Sequence, residues 1–418
     1  MKLKFLSRLG PGLITGAADD DPSGIATYSQ VGAQFGYAIG WTMLFCYPLM
    51  AAIQEISGRI GRVTGHGIAG NLRRYYGGGL LYPMVALLLV ANIINLGADL
   101  GAMGDALDLV LGGDHRAYYV VFFAVASVLI EIFSSYERYV QFLKWSTLSL
   151  FAYVAAALAV DVPWQRVAID VIVPSIVPSA DYLMAIVAIL GTTISPYMFF
   201  WQSSGEAEDE RVDPDAKPLK DGGGDAPKEI RRIAFDTYVG MGISQIIGLF
   251  IIVTTAATLH AHGITNIASS AQAAEALRPI AGVFAFAVFA LGIIGTGLLA
   301  VPVLAGSSAY ALGEALGRPV GLGRLPREAK LFYITIAVAT LIGVFINFVK
   351  IDPIRALYWS AVLNGIVAVP LMVVMMLMSD NRRVMGRFLL PLPLKALGWL
   401  ATTVMAVTAV ALIGSWFL

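Results

Sequence analysis

The chain is predicted to be an all-α integral membrane protein: eleven transmembrane helices, ten of them in two inverted five-helix repeats. Three observations carry that prediction. The 418 residues are 58% hydrophobic and only 13% charged, with a mean hydropathy of +0.75, a composition typical of polytopic helical membrane proteins. Eleven stretches are apolar and long enough to cross a bilayer. Two of these, five helices apart, are interrupted by proline near their centres.

A span needs about 20 predominantly apolar residues. The candidates cover residues 9–37, 39–60, 80–104, 116–133, 138–160, 181–203, 231–259, 281–313, 327–349, 353–378 and 393–417. The first repeat is expected over 9–160 and the second over 181–378, with 393–417 as a peripheral eleventh helix. Lysine and arginine placement sets the orientation. With the N-terminus in the cytoplasm, 23 of the 28 basic residues fall on the inner side. Only Arg116, Arg166, Arg278, Lys350 and Arg355 stay outside. A multi-pass protein of the plasma (inner) membrane is the expectation, with the lipid bilayer as its surroundings.

The polar segments follow from composition. Residues 205–228 are rich in Asp, Glu, Gly and Pro and read as a flexible cytoplasmic loop between spans 6 and 7. Residues 66–76 are basic and amphipathic and read as a short helix at the cytoplasmic surface. At the N-terminus Lys2, Lys4 and Arg8 resemble the start of a signal peptide. Gly10-Pro11-Gly12 interrupts the apolar core that should follow, so no cleavage is expected. The balance of 28 basic and 28 acidic residues offers no footprint for nucleic acid. Cys46 stands alone, which excludes an internal disulfide and a cysteine metal cluster. His260 and His262 sit at a helix end and read as incidental. There is no phosphate loop and no nucleophile–base pair, so no enzymatic activity and no cofactor is expected.

Asp21-Pro22-Ser23-Gly24 lies in the middle of span 1. A charge at membrane depth costs about 2.5–3.5 kcal/mol on insertion scales. Pro22 removes a backbone donor and Gly24 loosens the helix. Span 6 carries a matching interruption, Gly191-Thr192-Thr193-Ile194-Ser195-Pro196-Tyr197. Because five is odd, the two five-helix units have opposite topology. A pair of broken helices at matching positions of inverted halves points to a midplane transport site. Pro48, Pro83, Pro302 and Pro370 read as ordinary kinks.

Unwound backbone exposes carbonyl oxygens. Asp21 adds a full negative charge, Thr192 a carbonyl and a hydroxyl, and Ser195 a hydroxyl. This all-oxygen set with one carboxylate suits a hard cation. Of the three consecutive aspartates, Asp20 and Asp19 point about 100° and 200° away from Asp21 on a helix. Asp21 is therefore the expected ligand and Asp20 is assigned to the aqueous path. Asn364 in span 10 either reaches the ion, directly or through water, or bonds another helix, a contact worth about 0.6 kcal/mol. Asn92 and Asn95 in span 3 read as packing or vestibule residues. Gln54 and Glu55 either line the inner vestibule or pair with a neighbour.

These motifs resemble the Nramp family of divalent-metal transporters, which has the LeuT fold, and the resemblance covers nearly the whole chain. The family motif Asp-Pro-Gly-Asn in helix 1 stands here as Asp21-Pro22-Ser23-Gly24. In helix 6, Ala-x-x-Met-Pro-His stands as Thr192-Thr193-Ile194-Ser195-Pro196-Tyr197. The aspartate and both prolines match; the asparagine, methionine and histidine do not. Ser195 removes the soft sulfur ligand and Gly24 an amide oxygen. Both replacements are smaller, which implies a wider, all-oxygen cavity. Magnesium dehydrates reluctantly and keeps water in protein sites. The chain is thus similar to the Nramp-related branch that carries magnesium and manganese, with Asp21, Gly24, Thr192, Ser195 and Asn364 as the implied metal site.

The family's proton pathway uses the helix 6 histidine and acids on helix 3. Tyr197, whose side chain ordinarily titrates at about 10, does not exchange protons at neutral pH. Of the helix 3 acids only Asp99 is kept; the flanking positions are Asn92 and Ala102. The resemblance implies uncoupled carriage of a magnesium or manganese ion as substrate, by alternating access. Asp99 is read as a structural partner of an arginine, against a role as residual proton site. Two other readings stay open: a proton-coupled manganese or iron transporter of the main Nramp branch, and a LeuT-type organic-solute symporter.

Overall fold

The structure, a computed structural model, describes residues 11–133, 151–212, 216–278, 282, 285–349 and 352–417. Every regular element among them is a helix. Span 1 is divided as its sequence demands. Helix α1 (Pro11–Asp19) stops before the break and α2 (Pro22–Phe35) starts after it. Pro22 occupies the first helical position, where its missing N–H costs nothing, and Asp21 caps α2 in an extended conformation, φ −64° and ψ 172°. A 3-10 turn over Gly36–Ile39 and a 109° bend lead into α3 (Trp41–Thr64).

A short amphipathic helix, α4 (Ile68–Tyr75), precedes α5 (Gly78–Leu111) and α6 (Arg116–Phe133). Most of predicted span 5 lies outside the described residues; its end is α7 (Phe151–Ala159), followed by α8 (Trp164–Ile172). Span 6 is divided like span 1, into α9 (Ala180–Thr193) and α10 (Pro196–Val212). The later spans are α11 (Ala226–Thr258), α13 (Ala285–Leu316), α14 (Lys330–Ile346), α15 (Pro353–Ser379) and α17 (Leu392–Ser415). Short α12 (Ser270–Glu275) and α16 (Arg382–Met385) fill connections. Among the described residues six single helices, and the two halves of span 6 taken together over Ala180–Val212, are long and apolar enough to cross a membrane. The remaining predicted spans fall short for local reasons. Span 1 is broken, α3 carries Glu55, Arg59 and Arg62, span 5 is only partly described, and α14 has 17 residues.

One boundary differs from expectation. Residues 205–212, expected to open a flexible loop, continue α10, and α11 already begins at Ala226. The acidic residues that read as a solvated linker are instead buried and paired. Arg232 donates to Glu206 at 2.5 Å, Arg62 to Glu210 at 2.8 Å, and Tyr310 to Glu208. Burial among charge-assisted partners favours helix where composition alone favours coil.

Helices approach closely through small residues, as membrane proteins without a hydrophobic driving force between helices require. Gly16 of α1 rests on the backbone of Gly240 in α11, and Gly191 of α9 on Ala361 and Gly365 of α15; a Cβ at either glycine would collide with backbone. Two polar contacts flank the first crossing. The Gly12 N–H donates to Asp236 at 2.8 Å, and Ser244 donates to Asp19. The half-helix α1 is thereby fastened to α11 over about two turns. The second crossing holds α9 against α15, and together they place both breaks inside the bundle.

Candidate metal site

The two breaks meet. Asp21 is 1% exposed, and its two carboxylate oxygens face different partners. Oδ1 accepts from the Ser23 hydroxyl at 2.6 Å and the Gly24 N–H at 2.7 Å, the N-cap arrangement for α2. Oδ2 accepts from Asn95 Nδ2 on α5 at 3.0 Å. The Tyr197 hydroxyl of α10 lies 3.4 Å from Oδ2 and donates at 2.7 Å to the Ala18 carbonyl, at the end of α1. Donors from three helices thus compensate a charge that would otherwise be prohibitive at membrane depth. The weak Tyr197 contact leaves Oδ2 with lone-pair capacity for a further positive partner.

The other expected residues are placed in distinct ways. Gly24 opens α2 against span 6. A Cβ there would sit 2.9 Å from the Asp19 carbonyl and 3.3 Å from Thr192 Oγ1. Thr192 lies in the last turn of α9, and its buried hydroxyl has no hydrogen-bond partner. Ser195 lies between α9 and α10 and turns its hydroxyl back, donating to the Gly191 carbonyl at 2.5 Å and to that of Thr192 at 3.0 Å. It therefore shapes the break and keeps only its lone pairs for an ion. Asn364, 1% exposed, is next to the α9–α15 crossing at Gly365, and neither its Oδ1 nor its Nδ2 is bonded. Among the described residues no three His, Cys, Asp or Glu side chains converge. Asp21 and the neutral oxygens of Thr192, Ser195 and Asn364 are the groups expected from the sequence to hold a hard cation.

Gly24→Val is expected to lower flux at least tenfold. The added carbons enter the contact with Thr192 and the Asp19 carbonyl, and overpacking of this kind costs about 1–3 kcal/mol. Transport by reconstituted protein, beside an unchanged elution profile, checks it.

Several residues have roles that the sequence reading did not assign. Asn95, read as packing or vestibule, contacts Asp21 directly, and its Oδ1 accepts from Ser360 of α15 at 2.7 Å. Asn92 donates to Ser307 at 2.8 Å and Ser308 at 3.0 Å on α13. Asp99 is fully buried and lies near Asp21 and toward the Ser23 backbone. Its expected arginine partner is absent among the described residues. The signal was present in the spacing: Asn92, Asn95 and Asp99 recur at i, i+3 and i+7, one face of a helix. Asp20, assigned to the aqueous path, is 0% exposed. Burial follows because α1 is fastened to α11 at this level. Glu55 pairs with Arg59 at 2.5 Å along α3. His260 and His262 bond backbone carbonyls of Ala33 and Thr258 and share no ligand geometry.

Comparison with known proteins agrees with this architecture. The family model for natural resistance-associated macrophage protein-like (Nramp) sequences matches residues 12–415. A divalent metal cation transporter MntH from Klebsiella pneumoniae is 26% identical over 403 residues, covering 94% of this chain and 90% of the relative. The MntH of Yersinia pestis is 26% identical over 394 residues, with 91% and 88% covered. Among solved structures, an Eremococcus coleocola manganese transporter superposes with a TM-score of 0.78 at 17% identity, over 99% of this chain and 88% of that one. Mhp1, a nucleobase-cation-symport-1 family transporter, superposes at 0.55 with 16% identity, over 98% and 93%. The all-helical fold is therefore shared with both, and the chain belongs to the Nramp family of membrane transporters rather than to any class of enzyme.

Proposed function

We propose that the chain carries divalent metal ions, magnesium foremost and manganese also, by alternating access and without coupling to protons. The ion sits between the breaks of spans 1 and 6, partly hydrated. Asp21 supplies the charge and a direct oxygen. Thr192, Ser195 and Asn364 supply neutral oxygens, some through water, and Gly24 supplies room. The observation that carries the reading is Ser195. At the position where the family places a methionine sulfur stands a small hydroxyl, folded back on the Gly191 and Thr192 carbonyls. That leaves oxygen ligands only, in a setting that favours an ion reluctant to shed its water. The relatives are described as carriers of divalent metal cations, in line with this charge class.

The repeats over 9–160 and 181–378 would rock around the site, in a plasma membrane with the N-terminus inside. An inward potential of 100 mV is worth about 2.3 kcal/mol per charge, hence about 4.6 kcal/mol for a divalent ion. That is enough to concentrate magnesium without a second ion. Tyr197 supports the uncoupled reading, since its hydroxyl is committed to the Ala18 carbonyl. One observation favours proton coupling instead: Asp99 is a fully buried carboxyl near Asp21 with no basic partner among the described residues.

Both readings meet in one experiment. Reconstituted protein is offered magnesium, manganese, calcium and cadmium while internal pH is recorded. The proposal expects magnesium and manganese flux, little cadmium flux and no acidification. Acidification that tracks flux and disappears in Asp99→Asn would establish the coupled reading. An absence of magnesium flux would overturn the ion assignment.

A further inference from the structure

On the side that the basic residues assign to the cytoplasm, a cavity of about 690 Å³ opens between α4, the end of α10, and the loop that follows α13. Five arginines line it: Arg73, Arg74, Arg211, Arg318 and Arg324. They come from three segments distant in sequence. The two glutamates of the wall are already engaged. Glu210 pairs with Arg62 at 2.8 Å, and Glu314 accepts from the backbone N–H groups of Gly67 and Gly70 at 2.8 and 2.9 Å. Among the described residues Arg73, Arg74, Arg318 and Arg324 form no ion pair. Arg211 is fixed by the Ala207 and Val320 carbonyls, at 3.0 and 3.1 Å. Arg73 is positioned by shape: its guanidinium lies in the space that a Cβ on Gly317 would fill, and Gly317 has φ +65°.

The positive-inside bias accounts for arginines on the cytoplasmic side but not for their meeting in one cavity. Here they converge on a concavity whose volume lies within the range of ligand sites, about 300–1,000 Å³. Guanidinium groups bind phosphate oxygens in bidentate fashion and stay charged at any relevant pH. We propose that this cavity binds a multiply charged, phosphate-bearing anion, held by Arg73 and Arg318 across the gap between α4 and the end of α13, with Arg74, Arg211 and Arg324 around it. A soluble phosphate compound and the headgroup of an anionic lipid share this chemistry. None of the residues lining the cavity is among the expected metal ligands, and the proposal does not depend on which metal is carried.

The test is calorimetric titration of the purified full-length chain in detergent with chelator present. The probes are inorganic pyrophosphate, ATP, dioctanoyl phosphatidylglycerol and dioctanoyl phosphatidylinositol phosphate. The result expected is saturable binding of at least one probe, weakened as salt is raised and weakened about tenfold in each of Arg73→Gln and Arg318→Gln. Arg278→Gln, exposed on the opposite side, should leave it unchanged. Binding of pyrophosphate or ATP identifies a soluble ligand; binding of the lipids alone identifies a headgroup. Arg324→Gln, in a loop, serves where another variant elutes as aggregate. No saturable binding of any probe, or binding equally strong in the arginine variants and in Arg278→Gln, would overturn the proposal.

Discussion

Asp21→Ala should abolish magnesium flux, by more than a hundredfold, in protein that still elutes as a folded species. Asp21 is the one full charge among the expected ligands, and it sits where water is excluded. Two charges on an ion about 3 Å from one carboxylate interact by about 11 kcal/mol at an effective dielectric constant near 20. Most of this offsets the ion's lost hydration, yet a net loss of only about 2.7 kcal/mol already gives a hundredfold. The same carboxylate caps α2 through Ser23 and Gly24, and losing a cap costs about 1 kcal/mol of stability. Asp21→Asn separates the two roles. Its amide oxygen can still accept from Gly24, so the cap survives while the charge is gone. Flux should vanish in Asp21→Asn as it does in Asp21→Ala. Parental flux in Asp21→Asn would move the ion away from this break.

The legibility of the fold came from a few strong physical constraints. Hydrocarbon forces long apolar helices, so most span limits agree with the helix limits within a few residues where the structure describes them; α5 and α10 run further, to Leu111 and Val212. Proline without a donor, next to a charge, breaks a helix at a definable residue, and both breaks occur at Asp21-Pro22 and Ser195-Pro196. Residues 205–212 were less legible because composition says nothing about partners. Glu206, Glu208 and Glu210 read as solvent-facing until Arg232, Tyr310 and Arg62 are brought to them from distant segments. The site shows the same division. Asp21, Gly24 and Thr192 announced themselves through the breaks. Asn95 lies in an unbroken helix, and only its periodicity with Asn92 and Asp99 marked that face. Which helix the face would meet is a property of the packing of α5 against α2, α13 and α15, and no local feature of the chain encodes it.

Ser195→Met tests why the ion should be magnesium. The parent hydroxyl donates to two carbonyls at the end of α9, those of Gly191 and Thr192. Methionine removes both bonds, adds a polarisable sulfur and fills space. Sulfur favours soft ions such as cadmium over hard ones, and the lost volume works against an ion that keeps its water. Cadmium uptake should rise from background to a rate that competes with magnesium, while magnesium flux falls by about tenfold. Ser195→Ala supplies the control. It loses the hydroxyl and widens the break without adding sulfur, so it should gain no cadmium flux and should keep most of its magnesium flux. If cadmium uptake is the same in the two variants, sulfur at this position does not set selectivity. The cause would then lie with Gly24, the only other residue at the breaks that lacks the family's larger ligand. If Ser195→Met alone gains cadmium, one side chain decides between a hydrated hard ion and a stripped soft one, on a backbone that is otherwise the same.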